Sequence, residues 1–192
     1  MDPQKDLKTV RNAHFIFAII LLAYFMSYFF RIAPAVVMPL YAAPLGLSAA
    51  MTGFIASFYF YAYGAMQPVC GVLLDKFGPM RVASAGLFIT ALGGFMMVFK
   101  PTVFTLSLWR LLMGLGFSPL FMGALVFQAA AFPLTLYAFY SGITLATGNM
   151  GTVVGVAPLG TAIDTWGMPA VSTFLAIFCL FLSSLLFLKR KD

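Results

Sequence analysis

The stretch GVLLDKFGPMR, Gly71–Arg81, sets Asp75, Lys76 and Arg81 into one short turn between two long apolar runs. A carboxylate at the end of a helix meets the negative field of the last exposed carbonyls, so Asp75 needs a positive partner there. Lys76 and Arg81 can supply part of that charge. Gly78 can take the left-handed conformation that ends a helix, and Pro79 fits the first turn of the next one. The expected object is a tight, charged hinge that fastens two apolar helices at one face of a membrane.

The chain around this turn has 192 residues, 62% hydrophobic and only 8% charged, whereas soluble domains carry about 25% charged residues. It reads as a membrane protein. A hydrocarbon core about 30 Å thick needs roughly 20 apolar residues per crossing, so this length holds about six crossings with short loops and no soluble enzyme domain. The six apolar runs are residues 13–39, 50–74, 80–99, 102–130, 136–163 and 169–188. The segments YAAPLGLS, DKFGP, KPT, FPLT and DTWGMP between them hold Pro, Gly or both, residues that end helices. The fold class is therefore an all-α membrane protein, and residues 1–192 form a single six-helix transmembrane domain.

The first run follows a basic segment as a signal peptide would, but it is too long, contains Arg31 and lacks a clear cleavage site. The net charge of +6 resides at helix ends, where it sets topology; no nucleic-acid partner is expected. Lys5, Lys8, Arg11, Lys76, Arg81, Lys189, Arg190 and Lys191 fall on one side and only Lys100 on the other, so both termini and the Asp75–Arg81 turn are expected to be cytoplasmic. Cys70, Cys179 and the single histidine lack ligand-like spacing, and no metal or cofactor is expected. No nucleophile and base constellation appears either, so the chain does not read as an enzyme.

In the frame Gly71, Asp75, Lys76, Gly78 and Arg81 the turn resembles the signature between helices two and three of the major facilitator superfamily of secondary transporters. Pro79 and Met80 depart from it, leaving one basic residue where the family often has two. WRLLMGLGFSP resembles the family's helix-four pattern through Arg110, Gly114 and Gly116, and GNMGTVVGVAPLG its glycine-rich helix five through Gly148, Gly151, Gly155, Pro158 and Gly160. Small residues so spaced let helices approach closely. The resemblance implies two inverted three-helix repeats, together the N-terminal half of the family's fold. In the full fold the substrate lies between two such halves. LKRKD reads as a cytoplasmic stop, and a second copy of the chain or a separate six-helix half is expected to cover the wall that faces the cavity. The remaining partners would be membrane lipid and a small-molecule solute, and the setting a bacterial inner membrane.

Candidate site residues follow from spacing. Tyr24, Ser27, Tyr28 and Arg31 share one face of helix one, and Tyr59, Tyr63 and Gln67 one stripe of helix two. Arg31 lies about eight residues before the outer end of helix one and Arg110 about eight after the outer start of helix four, which puts both roughly 12 Å deep. A buried arginine costs about 2.5 to 3.5 kcal/mol on insertion scales and turns toward protein or water. Two guanidiniums at one level suit a carboxylate or phosphate, so an anionic solute moved by alternating access is the expected cargo. Alternatively, Arg110 is structural or proton-linked and Arg31 snorkels outward. No acidic residue lies within an apolar run, so proton coupling would need a partner, an Asp75-centred network or the substrate itself. A different function class stays open: a non-transporting assembly or regulatory subunit, or a fragment, that keeps the half fold.

Overall fold

The structure is a computed structural model describing residues 3–189, with side chains from Val10 onward. Of the basic residues counted for topology, the side chains of Lys5 and Lys8 and all of Arg190 and Lys191 lie outside the described residues. Among the described residues nine α-helices follow one another: α1 Pro3–Ile32, α2 Pro34–Ala42, α3 Ala49–Phe77, α4 Pro79–Met96, α5 Val103–Phe117, α6 Leu120–Ala131, α7 Tyr137–Val154, α8 Ala157–Trp166 and α9 Met168–Leu188. A 3₁₀ turn, Leu134–Leu136, leads into α7. Among the described residues all regular structure is helical.

Three of the expected runs are interrupted. The first rod breaks at Ala33 into α1 and α2, the fourth at Ser118 and Pro119 into α5 and α6, and the fifth at Gly155 and Val156 into α7 and α8. Each break has a proline in or just after it, at positions 34, 119 and 158. A proline has no N–H to give to the carbonyl four residues earlier, and its ring crowds that carbonyl.

Among the described residues four stretches are long and apolar enough to cross a membrane: Val10–Ala42, Pro79–Met96, Val103–Ala131 and Met168–Leu188. The second and fifth of the six expected runs do not reach that apolarity. The reason is in their residues: α3 carries Tyr59, Tyr61, Tyr63 and Gln67, and α7 carries Ser141, Thr144, Thr147, Asn149 and Thr152. These two segments hold much of the polar side-chain chemistry.

Helix α4 packs most extensively on α9 and α5, α1 packs on α7, and α3 on α5. Small residues make each seam. A methyl group on Gly151 would strike the Phe25 carbonyl, one on Gly114 the Tyr59 carbonyl, and one on Gly94 would come within 3.0 Å of the Ala176 side chain. Backbone-to-backbone approach of this kind drives association where lipid offers no hydrophobic gain. The α4–α9 seam is also closed by two buried serines. Ser84 Oγ donates to the Ser183 carbonyl at 2.9 Å, and Ser183 Oγ donates to the Ser84 carbonyl at 2.8 Å. Large apolar side chains such as Val72, Phe104, Val153 and Phe174 cover the exterior, the surface a bilayer accepts.

The signature turn is shorter than expected. Gly78 alone separates α3 from α4, donating its N–H to the Leu74 carbonyl at 2.9 Å. Its φ of 79° and ψ of 158° are not the left-handed helical values anticipated but an extended positive-φ conformation that is essentially restricted to glycine. Gly167 repeats it between α8 and α9 at φ 80° and ψ 153°.

Candidate functional site

The site is built beside the break in the first rod, from side chains of α1, α3 and α5. In α1, Tyr24, Ser27, Tyr28 and Arg31 advance by steps of three and four and so share a face. The Tyr24 hydroxyl donates to that of Tyr28 at 3.2 Å, and the two rings meet edge to face with centroids 5.1 Å apart. From α3, the Tyr59 and Tyr63 rings stack at 5.9 Å, and Ser27 Oγ lies 3.4 Å from the Tyr59 hydroxyl. Gln67, one turn further on, gives its amide to the Ser118 carbonyl at 3.3 Å.

Both arginines reach this tyrosine cluster, in different ways. Arg110, on α5, is wholly buried. Its Nε and Nη2 donate to the Ala56 carbonyl at 3.1 and 3.0 Å, its Nη1 donates to the Phe30 carbonyl at 3.1 Å, and its Cζ stands 4.7 Å from the Tyr59 ring centre. Phe30 is the residue four before Pro34, so its carbonyl is the one the proline leaves without a helical donor. Arg110 supplies that donor from a different rod.

Arg31 is only half-buried. Its Cζ sits 4.4 Å from the centre of the Tyr28 ring, 5.6 Å from Tyr63 and 6.0 Å from Tyr59, and its buried Nε has no hydrogen-bond partner. Ring faces stabilise a desolvated guanidinium by up to about 2 kcal/mol, and a side-chain hydrogen bond with Tyr59 adds to them. The guanidinium's forked donor set matches a carboxylate or phosphate.

The structure thus brings Arg31, Arg110, Tyr24, Tyr28, Tyr59 and Tyr63 into one cluster, with Gln67 one turn away on α3. Gly71, Asp75, Lys76, Gly78 and Arg81 lie further along at the turn. The expected charge pairing there is corrected: Asp75, Lys76 and Arg81 are all exposed, and among the described residues none of them is held in an ion pair. Lys76 instead brings its ammonium to 5.4 Å from the Phe77 ring. The one-residue linker explains this, because with the two helices joined at Gly78 the charged side chains radiate outward. Two residues escaped the sequence reading, Pro34 and Ser118. The four-residue offset from each proline to its orphaned carbonyl is the signal that could have found them.

Apolar rods packed on glycine seams around a buried polar cluster define an integral membrane protein of the all-helical class. The chain belongs to the Major Facilitator Superfamily, whose family model matches residues 20–192. That superfamily comprises transporters and not enzymes. Over 145 residues, 76% of the chain and 34% of the relative, it is 28% identical to the "Probable sulfoacetate transporter" of Cupriavidus necator. It is 30% identical over 184 residues, 93% of the chain and 41% of the relative, to the "Probable galactarate/D-glucarate transporter" of Escherichia coli (strain K12). The "Probable L-galactonate transporter" of the same strain is 41% identical over 78 residues, 40% of the chain and 17% of the relative. The chain therefore spans well under half the length of these relatives.

Proposed function

We propose that this chain forms one six-helix half of a secondary transporter for small organic anions, working by alternating access once a second half, a further copy or a separate polypeptide, closes the cavity. The six crossings would be the rods α1–α2, α3, α4, α5–α6, α7–α8 and α9, arranged as two inverted three-helix repeats. The paired linkers support this: Gly78 and Gly167 share one rare conformation, each is preceded directly by an aromatic residue, Phe77 or Trp166, and each follows an aspartate, Asp75 or Asp164, by three positions. The setting is a bacterial cytoplasmic membrane with both termini inside.

The observation that carries the reading is the Arg31 guanidinium, ringed by Tyr28, Tyr59 and Tyr63 with its Nε unpartnered. Arg31 binds the anionic head, Tyr24, Tyr28, Tyr63 and Gln67 line the path, and Arg110 braces the wall behind. The names of the relatives supply the cargo chemistry, a sulfonate or a sugar acid, and both present planar or trigonal oxygen sets to a guanidinium. Purified protein in liposomes should take up sulfoacetate, D-glucarate or L-galactonate, and Arg31→Gln should abolish the uptake. Uptake unchanged by Arg31→Gln would refute the anchor. Reconstituted protein that self-associates and yet carries none of the three anions would favour a non-transporting membrane subunit.

A further inference from the structure

We infer that Arg110 is a positioning residue, whose guanidinium takes over the Phe30 carbonyl that Pro34 orphans and so fixes the break in the first rod from which Arg31 projects. The inference rests on the reading of Arg31 as the anion anchor for its functional meaning, but its physical core stands without it. The carbonyl gripped by Nη1 belongs to the peptide unit that joins Phe30 to Arg31, so the grip acts on the backbone immediately before the anchoring side chain. The same guanidinium takes the Ala56 carbonyl of α3 through Nε and Nη2, one turn before Tyr59, whose ring it also covers. One buried cation therefore sets the bend of α1 relative to α2, the spacing of α1 and α3, and the ring against which Arg31 rests.

The arrangement solves two difficulties together. A carbonyl without a donor inside a membrane protein has no water to turn to, and a buried guanidinium needs acceptors for its charge. Ser118 performs the neutral version of this task in the fourth rod. Proline 119 orphans the Leu115 carbonyl, and Ser118 Oγ donates to it at 2.7 Å from within the same turn. The need for an arginine in the first rod is thus specifically a need created by Pro34.

That dependence is testable by a double-mutant cycle. Replacing Pro34 with alanine restores an N–H four residues after Phe30, so the carbonyl no longer needs Arg110. Melting temperatures of the full chain in detergent micelles are compared for the wild type, Pro34→Ala, Arg110→Gln and the double variant. Arg110→Gln should lower the melting temperature, and adding Pro34→Ala should recover a substantial part of the loss. Additive effects would overturn the proposal. Should Arg110→Gln alone fail to fold, recovery of folded protein in the double variant is the expected result, and failure of both overturns it equally.

Position is read separately with Arg31→Cys and a charged methanethiosulfonate reagent, since the native Cys70 and Cys179 are both buried. Arg110→Gln should change the labelling rate at position 31 several-fold, and Pro34→Ala should bring it back toward the original. An unchanged rate would show that Arg110 stabilises without positioning. Neither measurement uses a transported solute, so an absence of anion uptake would count against the anchor and leave this inference standing.

Discussion

The first and fourth rods are broken by the same chemistry and mended in opposite ways. In each, a proline removes one N–H and strands the carbonyl four residues earlier, Phe30 in the first rod and Leu115 in the fourth. The fourth rod repairs itself through Ser118, three residues from the carbonyl it serves. The first rod is repaired by Arg110, 80 residues away in sequence. A local hydroxyl mends its break from within its own rod, even though α3 also touches the spot through Gln67, which donates to the Ser118 carbonyl, and Cys70, whose Sγ lies 3.3 Å from Ser118 Oγ. A distant guanidinium makes its break a property of three rods at once, α1–α2, α3 and α5–α6. The second kind of repair suits a break that must hold a functional side chain in register with its neighbours.

The contrast can be broken most forcefully at Arg110. Arg110→Met strands the Phe30 carbonyl and takes the second acceptor role from Ala56, and should cost about 3 kcal/mol, the range for removing one partner from a buried charged network. Unfolding in mixed micelles would show it. Gly114→Ala attacks the same junction from the packing side, because the added methyl meets the Tyr59 carbonyl and pushes α5 off α3. About 2 kcal/mol is expected for such overpacking, again read from unfolding. Ser118→Ala strands one neutral carbonyl and should cost about 1 kcal/mol; a loss as large as that of Arg110→Met would erase the distinction between the two repairs. Arg31→Gln gives up the ring contacts of Tyr28, Tyr59 and Tyr63 but also relieves the desolvation of a charge, and should cost no more than about 1 kcal/mol, while its effect on anion uptake is complete.

Much of the fold was legible in the turns. The Asp75–Arg81 segment announced two helices meeting at a glycine, and the apolar runs fall on helical stretches, four of which among the described residues are long and apolar enough to cross a membrane. The breaks were not legible from hydropathy, because Pro34 and Pro119 sit inside windows that average as apolar. The seams between rods were harder still. Ser84 and Ser183 are 99 residues apart, and a serine among apolar residues carries no mark of its partner. At the site, spacing put Arg31 and Arg110 at one expected level and Tyr59 on a polar stripe of the second helix, while the approach of both guanidiniums to the Tyr59 ring became visible only in the structure. Their division of labour was hidden, since Arg110 is held by backbone carbonyls, which every residue has and no sequence displays.

The account's central claim is that one guanidinium is open to an anion and the other is closed by the fold. Phenylglyoxal modification of the purified protein in micelles, mapped to individual arginines by peptide mass spectrometry, tests it most directly. Arg31 should react, should be protected by sulfoacetate or D-glucarate, and should do so while Arg110 stays unmodified. Modification of Arg110 at a rate equal to that of Arg31, or an inert Arg31, would contradict the account.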